Sequence, residues 1–160
     1  MWDLEKLDLS SSSPAQRFRN SIFDLGKCTD FFGLYRGSSL DGSVLHGNYK
    51  GSDDIFLAEI ALRGRTIRVR ECFFQNRVHS QQYTNSTRLS DSTEEVATWW
   101  AGENAKIRHH AAPITTLWLN YFKIVSKSLL SLKERCKCYF YIAGWGLFTK
   151  GNGKQIVLKR

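Results

Sequence analysis

The sequence lacks the long apolar segment that a membrane-spanning helix requires. No stretch approaches about eighteen consecutive apolar residues, so we expect no transmembrane span. The N-terminus, from Met1 to Glu5, is acidic and has neither the basic start nor the apolar run of a secretory signal. These absences favour a cytoplasmic or nuclear protein, in which the four cysteines are expected to be reduced.

Catalytic and metal-binding motifs are missing as well. There is no nucleophile elbow, phosphate-binding loop or paired-carboxylate motif. Cys136 and Cys138 have the wrong spacing for a standard zinc knuckle, and on a strand their thiols would point to opposite sides. We therefore predict no catalytic residue, metal or cofactor. A small hydrolase or transferase that uses His109 or His110 is kept as the third functional alternative.

Positive charge is concentrated in the later part of the chain. Residues 1–60 contain six Lys and Arg against nine Asp and Glu, a net charge of −3. Residues 61–160 contain seventeen against six, a net charge of +11. Such an asymmetry is typical of contact with nucleic acid or another anionic surface.

The length of 160 residues, with 42% hydrophobic and 13% aromatic residues, predicts a single folded domain over 1–160. Residues 1–13 are expected to form a flexible N-terminal segment. Three helices are predicted: one capped by Ser13 with Pro14 in its first turn, one opened by the Ser92 and Glu95 capping box, and a long one after Pro113 that extends to Leu132.

Runs of β-prone residues predict the rest of the fold. Together they favour an α+β fold, an antiparallel sheet of about five strands with two to three helices packed on one face. The predicted strands are Val44 to Tyr49, Ile55 to Leu62, Thr66 to Phe74, Lys137 to Phe148 and Gln155 to Leu158.

Arg63, Gly64 and Arg65 are expected to form a tight hairpin turn, with Gly64 at positive φ. In this register one sheet face is apolar, while Arg68 and Arg70 share the other and Glu59 is able to pair with one of them. The apolar face consists of Phe56, Ala58, Ile60, Leu62, Ile67 and Val69.

The candidate nucleic-acid site follows from this hairpin. Arginine and lysine side chains bind phosphates, and tyrosines on the strand face opposite to the core-facing residues can stack on bases. The predicted site comprises Arg63, Arg65, Arg68, Arg70, Tyr139, Tyr141, Lys150 and Lys154.

The segment from Glu59 to Val69, preceded by Ser43-Val44-Leu45 and followed by a capped helix, resembles the hairpin region of the tombusvirus small-RNA-binding silencing suppressors. Such suppressors are dimers that lay a sheet face along duplex small RNA and read its length. The resemblance implies RNA contacts between Arg63 and Arg70, and a homodimer. The N-terminal tryptophan pair with which that family caps duplex ends has no counterpart at this N-terminus, where Trp2 stands alone.

These observations favour a non-enzymatic RNA-binding accessory protein that recognises duplex or structured RNA by shape, in the manner of a viral suppressor of RNA silencing. The second alternative is a protein-interaction module whose basic surface meets an acidic partner.

Overall fold

Helices form the regular structure of the part of the chain described by the computed structural model, residues 7–24, 29–47, 49, 51–67, 69 and 113–151. Within these ranges there is no β-strand, so the predicted α+β fold with a five-stranded antiparallel sheet is wrong. The elements are α1 (Pro14–Phe23), a 3₁₀ turn (Thr29–Phe32), α2 (Gly37–Leu40), α3 (Ser52–Arg63), α4 (Pro113–Lys127) and α5 (Leu132–Gly151).

The first arm of the predicted hairpin is helix α3. It starts after Gly51, whose φ of 83° is favourable for glycine, and Asp53 and Asp54 in its first turn interact favourably with the helix dipole. Its residues are buried on all sides. The apolar run therefore lacks the periodic spacing of apolar and polar residues that distinguishes a helix from a strand in sequence.

Helix α3 is buried all round because it packs into two hydrophobic clusters on different sides. One side contributes Ile55, Ala58 and Leu62 to the main core. The other side packs Phe56, Leu57 and Ile60 against the segment that precedes the helix, where the Phe31 ring lies 5.5 Å from the Phe56 ring, centroid to centroid.

The strand predicted from Lys137 to Phe148 lies within helix α5. Cys138 and Ile142 are one helical turn apart, and both are completely buried. Tertiary packing of this helical face outweighs the strand propensity of the aromatic residues around them. The strand predicted at Val44 to Tyr49 is also absent from its described residues, 44–47 and 49. The remaining predicted strands and the Ser92 helix fall outside the described residues, apart from an irregular 66–67 and 69.

Two sequence predictions of helices are confirmed. Helix α1 starts at Pro14, and the Ser13 side chain accepts a hydrogen bond from the Gln16 amide as predicted for an N-cap. Helix α4 starts at Pro113 but ends at Lys127 rather than continuing to Leu132. A short connection then leads into α5, and the Arg135 guanidinium donates to the Ser128 carbonyl across it.

Helices α1, α3, α4 and α5 surround one core. α3 packs against α1 and α4, and α5 packs against the same two helices. The core is completed by residues from all four: Ala15, Phe18, Ile22, Ile55, Ala58, Leu62, Tyr121, Ile124, Val125, Cys138 and Ile142.

A buried arginine joins α1 to the end of α3. Arg17 is 4% exposed, and its Nε donates to the Ala61 carbonyl at 2.6 Å. Its other nitrogens donate to carbonyls of Leu62 and of the segment before α1, Ser11 and Ser12. Carbonyls at the end of a helix lack partners within that helix, so the guanidinium satisfies groups that burial would otherwise leave unpaired.

Helices α4 and α5 approach closely at Gly146. The indole Nε1 of Trp118 donates to the Ile142 carbonyl at 3.3 Å, and a Cβ at Gly146 would lie 2.8 Å from the same nitrogen. A Cβ at Gly144, half a turn away, would meet no atom within 4 Å. Only one of these two glycines is therefore required for packing.

We expect Arg17→Met to lower the free energy of unfolding by about 2–4 kcal/mol, because hydrogen bonds from a charged donor are lost and carbonyl oxygens stay buried without partners. Urea denaturation of both proteins measures the difference. Arg19→Met is the matched control. Arg19 is partly exposed and makes an ion pair with Asp24, a hydrogen bond to Asn20 and a contact with the Phe23 ring, so we expect a smaller change, below about 1 kcal/mol. Equal losses in the two variants would contradict this role of Arg17.

We expect Gly146→Ala and Gly144→Ala to change stability in opposite directions. The Cβ at position 146 collides with the Trp118 indole and costs about 1–3 kcal/mol, more than the gain in helix propensity. At position 144 only the propensity gain of up to about 1 kcal/mol remains. Thermal unfolding of the two variants followed by circular dichroism measures both effects. Stabilisation by both substitutions would show that α4 and α5 do not approach in this way.

Candidate nucleic-acid interface

Arg63, predicted to lie in a hairpin turn, belongs to a helix and takes part in the fold. Arg63 is in the last turn of α3, where its guanidinium donates to Glu59 Oε1 at 2.8 Å and to the Asp41 carbonyl at 2.7 Å. The other carboxylate oxygen of Glu59 accepts from the Val44 amide at 2.8 Å. Arg63 therefore holds the segment after α2 against α3, and it is the ion-pair partner of Glu59 among the described residues.

The predicted turn after Arg63 is also wrong. Gly64 is the C-cap of α3 with extended backbone, at φ −162°, and not the positive-φ residue of a hairpin. The Thr66 amide donates to the Leu9 carbonyl at 3.1 Å, which places the following segment beside the N-terminal one. Arg65 is exposed here, but so are Ile67 and Val69, which were expected to face the core.

The two tyrosines serve helix packing rather than a sheet face. The Tyr139 ring stacks on Phe122 of α4 at a centroid distance of 5.4 Å, and its hydroxyl lies 3.0 Å from the Ser126 hydroxyl. Tyr141 is half-buried and packs against the core. Neither ring is placed as a free stacking platform. Arg68, Arg70, Lys154 and the side chain of Lys150 lie outside the described residues.

Helices α4 and α5 instead form a basic hairpin surface, defined here by Lys123, Lys127, Lys133 and Lys137. Residues 113–151 contain six Lys and Arg and one acidic residue, Glu134. Lys123, Lys127 and Lys133 are exposed, as expected for the polar side of α4 and the start of α5. The one-turn spacing of Lys123 and Lys127 indicated that they share a face of α4, and the helical state of 132–151 places Lys133 and Lys137, also one turn apart, on one face of α5.

Glu134 offsets only part of this charge, because one of its carboxylate oxygens pairs with Lys137 and the other faces α1. Oε2 accepts from the Ser13 hydroxyl at 2.8 Å and from the Ala15 amide at 2.9 Å, so it caps the N-terminus of α1 from a different helix. Oε1 accepts from Lys137 at 2.9 Å. The Ala15 amide, followed by Lys137, lowers the pKa of Glu134 to about 2.

The cysteines and histidines form no cluster suited to metal. In the described part of the chain, no group of three or more His, Cys, Asp or Glu side chains converges on a point. Cys136 is exposed, whereas Cys138 is buried and burial raises its pKa to about 12, so this thiol stays protonated. His109 and His110 lie outside the described residues.

Ser52 and His46 form a contact that the sequence did not predict. The hydroxyl of the buried Ser52, at the start of α3, lies 3.0 Å from Nε2 of His46. No local pattern marks this pair, because the two residues meet through the fold of the loop before α3. The contact ties that loop to the first turn of the helix.

Comparisons with protein-family models, with curated proteins and with solved structures find no match to this chain. Among the described helices, none combines the length and the apolar character needed to cross a bilayer.

We expect the Glu134 cap to make stability depend on pH in the acidic range. The carboxyl is charged in the folded protein down to about pH 2, against an ordinary pKa of 4.5. Its contribution is therefore complete above the ordinary pKa and is lost as the pH falls through that interval. Glu134→Gln should lower the free energy of unfolding at pH 7 by about 1–3 kcal/mol and flatten its pH dependence between 5 and 2.

Urea denaturation at a series of pH values tests this expectation. Asp24→Asn is the control. The Asp24 carboxylate is exposed and its ion pair with Arg19, at 3.5 Å, is at the surface, so we expect a change below about 0.5 kcal/mol. An unchanged pH profile in Glu134→Gln would contradict the cap.

Proposed function

We propose that this protein is a non-enzymatic RNA-binding protein that contacts phosphates through the basic hairpin surface. The observation that supports the proposal is that Glu134, the only acidic residue of 113–151, caps α1 and pairs with Lys137, which leaves Lys123, Lys127 and Lys133 exposed and without an ion-pair partner among the described residues. The contact therefore involves a helical surface and not the sheet face expected from the sequence.

The geometry of the lysines suits a phosphate backbone. Lys123 and Lys127 are one helical turn apart, which places their Cβ atoms about 5–6 Å from each other. Lysine binds phosphate as a mobile point charge, so a surface of this kind recognises backbone shape and charge rather than base identity. Neither lysine has an ion-pair partner among the described residues, so both are available to an external anion.

The similarity of residues 59–69 to the tombusvirus suppressors supports duplex RNA as the first ligand to test. A role as a viral suppressor of RNA silencing, with a homodimer as the binding form, belongs to the same proposal. Residues 59–63 are helical here, so the proposal assigns the contacts to α4 and α5 and assigns Arg63 to the fold.

We expect short duplex RNA to bind with an affinity that falls steeply with salt. About four phosphate contacts give a slope of roughly −3 for the logarithm of the binding constant against the logarithm of salt concentration. Lys123→Gln/Lys127→Gln should weaken binding about tenfold or more in low salt and reduce the magnitude of the slope by about 2. Fluorescence anisotropy with duplex and single-stranded RNA of equal length at about 50 and 200 mM salt measures both quantities.

The matched control is Arg19→Gln/Arg36→Gln, which removes the same charge from other exposed or partly exposed parts of the chain. If both double variants lose affinity equally, the attraction depends on net charge alone and the basic hairpin surface is not the site. Absence of RNA binding by the unsubstituted protein in low salt would overturn the proposal. If polyglutamate displaces RNA and the protein binds RNA no more tightly than polyglutamate, an acidic protein partner is favoured instead.

A further inference from the structure

Helix α5 carries an apolar face that no other described part of the chain covers. Its buried side consists of Cys138 and Ile142, with Tyr141 and Trp145 beside them. The opposite side is also apolar and is exposed. This outer face of α5 consists of Leu132, Cys136, Phe140, Ala143, Gly144 and Leu147.

The outer face is a continuous strip. Leu132, Phe140 and Leu147 keep 76%, 75% and 75% of their surface exposed. Its members follow one another at intervals of three or four residues, with the adjacent Ala143 and Gly144 sharing one step, and this spacing keeps side chains on one side of a helix. From Leu132 to Leu147 the strip is about 22 Å long. Exposed apolar strips of this size mark binding sites more often than isolated exposed side chains do.

The shape of the outer face suits another helix. Ala143 and Gly144 lie between the bulky Phe140 and Leu147, and the space beyond Gly144 is open. Small residues between large ones form a depression that can accept a side chain from a facing helix. A lipid surface needs no such depression, and an interfacial helix has a polar side opposite its apolar one, whereas the opposite side of α5 is the protein core.

The charge beside the outer face indicates the chemistry of the partner. Lys133 and Lys137 lie along one margin of the strip, and Lys123 and Lys127 are on the neighbouring helix. Glu134 caps α1 with one carboxylate oxygen and pairs with Lys137 through the other, so Lys133 is the lysine of this margin that has no ion-pair partner among the described residues. A second copy of the chain would bring lysines toward lysines, whereas glutamates or aspartates beside the apolar residues of a partner helix would pair with them.

We propose that the outer face of α5 binds an acidic amphipathic helix of about fifteen residues from a partner protein, with Phe140 and Leu147 as the apolar anchors. A helix in a groove is read through apolar residues at one-turn spacing, and the acidic residues at its margins select orientation and association rate. This inference does not depend on RNA binding, because it rests on apolar residues that phosphates do not contact.

The test uses the full chain and a labelled synthetic peptide that places leucines at one-turn spacing on one side and glutamates elsewhere. A scrambled peptide of the same composition, which has the same charge but no apolar side, is the control ligand. We expect the amphipathic peptide to bind at least tenfold more tightly than the scrambled one by fluorescence anisotropy. Equal binding of the two peptides, or no binding of either, would overturn the proposal.

Phe140→Ala/Leu147→Ala should weaken binding of the amphipathic peptide at least tenfold while circular dichroism and the unfolding temperature stay unchanged, because both side chains are exposed. Leu34→Ala, at another exposed leucine, is the matched control and should leave peptide binding unchanged. RNA binding should persist in the Phe140 and Leu147 variant, so failure of this proposal is distinguishable from failure of the RNA proposal.

Two further measurements identify a different occupant. Sedimentation that shows a concentration-dependent dimer, lost in Phe140→Ala/Leu147→Ala, would overturn the proposal in favour of a second copy of the chain. Binding to phosphatidylserine vesicles that is lost in the same variant, without binding of the amphipathic peptide, would overturn it in favour of a lipid surface.

Discussion

The arrangement of the helices depends on one buried charge. Arg17 lies inside the protein, and the donors of its guanidinium bind carbonyls at the end of α3 and in the segment before α1. A buried guanidinium costs free energy unless its donors are satisfied, so this contact admits few alternative placements of α1 and α3. Burial is also the main reason why the pKa of Arg17 is lowered, although the group remains charged in the folded protein.

The same region links folding to the charge of the surface. Glu134 reaches from α5 to the first turn of α1, only a few residues before Arg17. Its carboxylate is used by the cap of α1 and by Lys137, so Lys123, Lys127 and Lys133 have no ion-pair partner among the described residues. A single side chain therefore stabilises the junction of α1 and α5 and leaves the outer surface positive, which connects the stability of the fold to the proposed RNA contact.

Local capping signals predicted helices well, whereas β-prone runs misled. Ser13, Pro14 and Pro113 act within one turn of chain, so their effect does not depend on distant residues. The run from Ile55 to Leu62 is apolar on every side because it is enclosed by two groups of residues, and such a run has no diagnostic period. The predicted hairpin register was wrong for the same reason, because it assumed two strands and the first of them is α3.

The sequence alone determined the positive charge of the later part of the chain, the starts of α1 and α4, and the exposure of Lys123 and Lys127. Composition and short-range capping decide these properties, since they need no knowledge of which segments meet. Only the tertiary structure decided that Arg63 binds Glu59 and backbone carbonyls, that Glu134 caps α1, and that an apolar face of α5 stays exposed. Each of these depends on contacts between residues far apart in the chain, and local propensity cannot encode them.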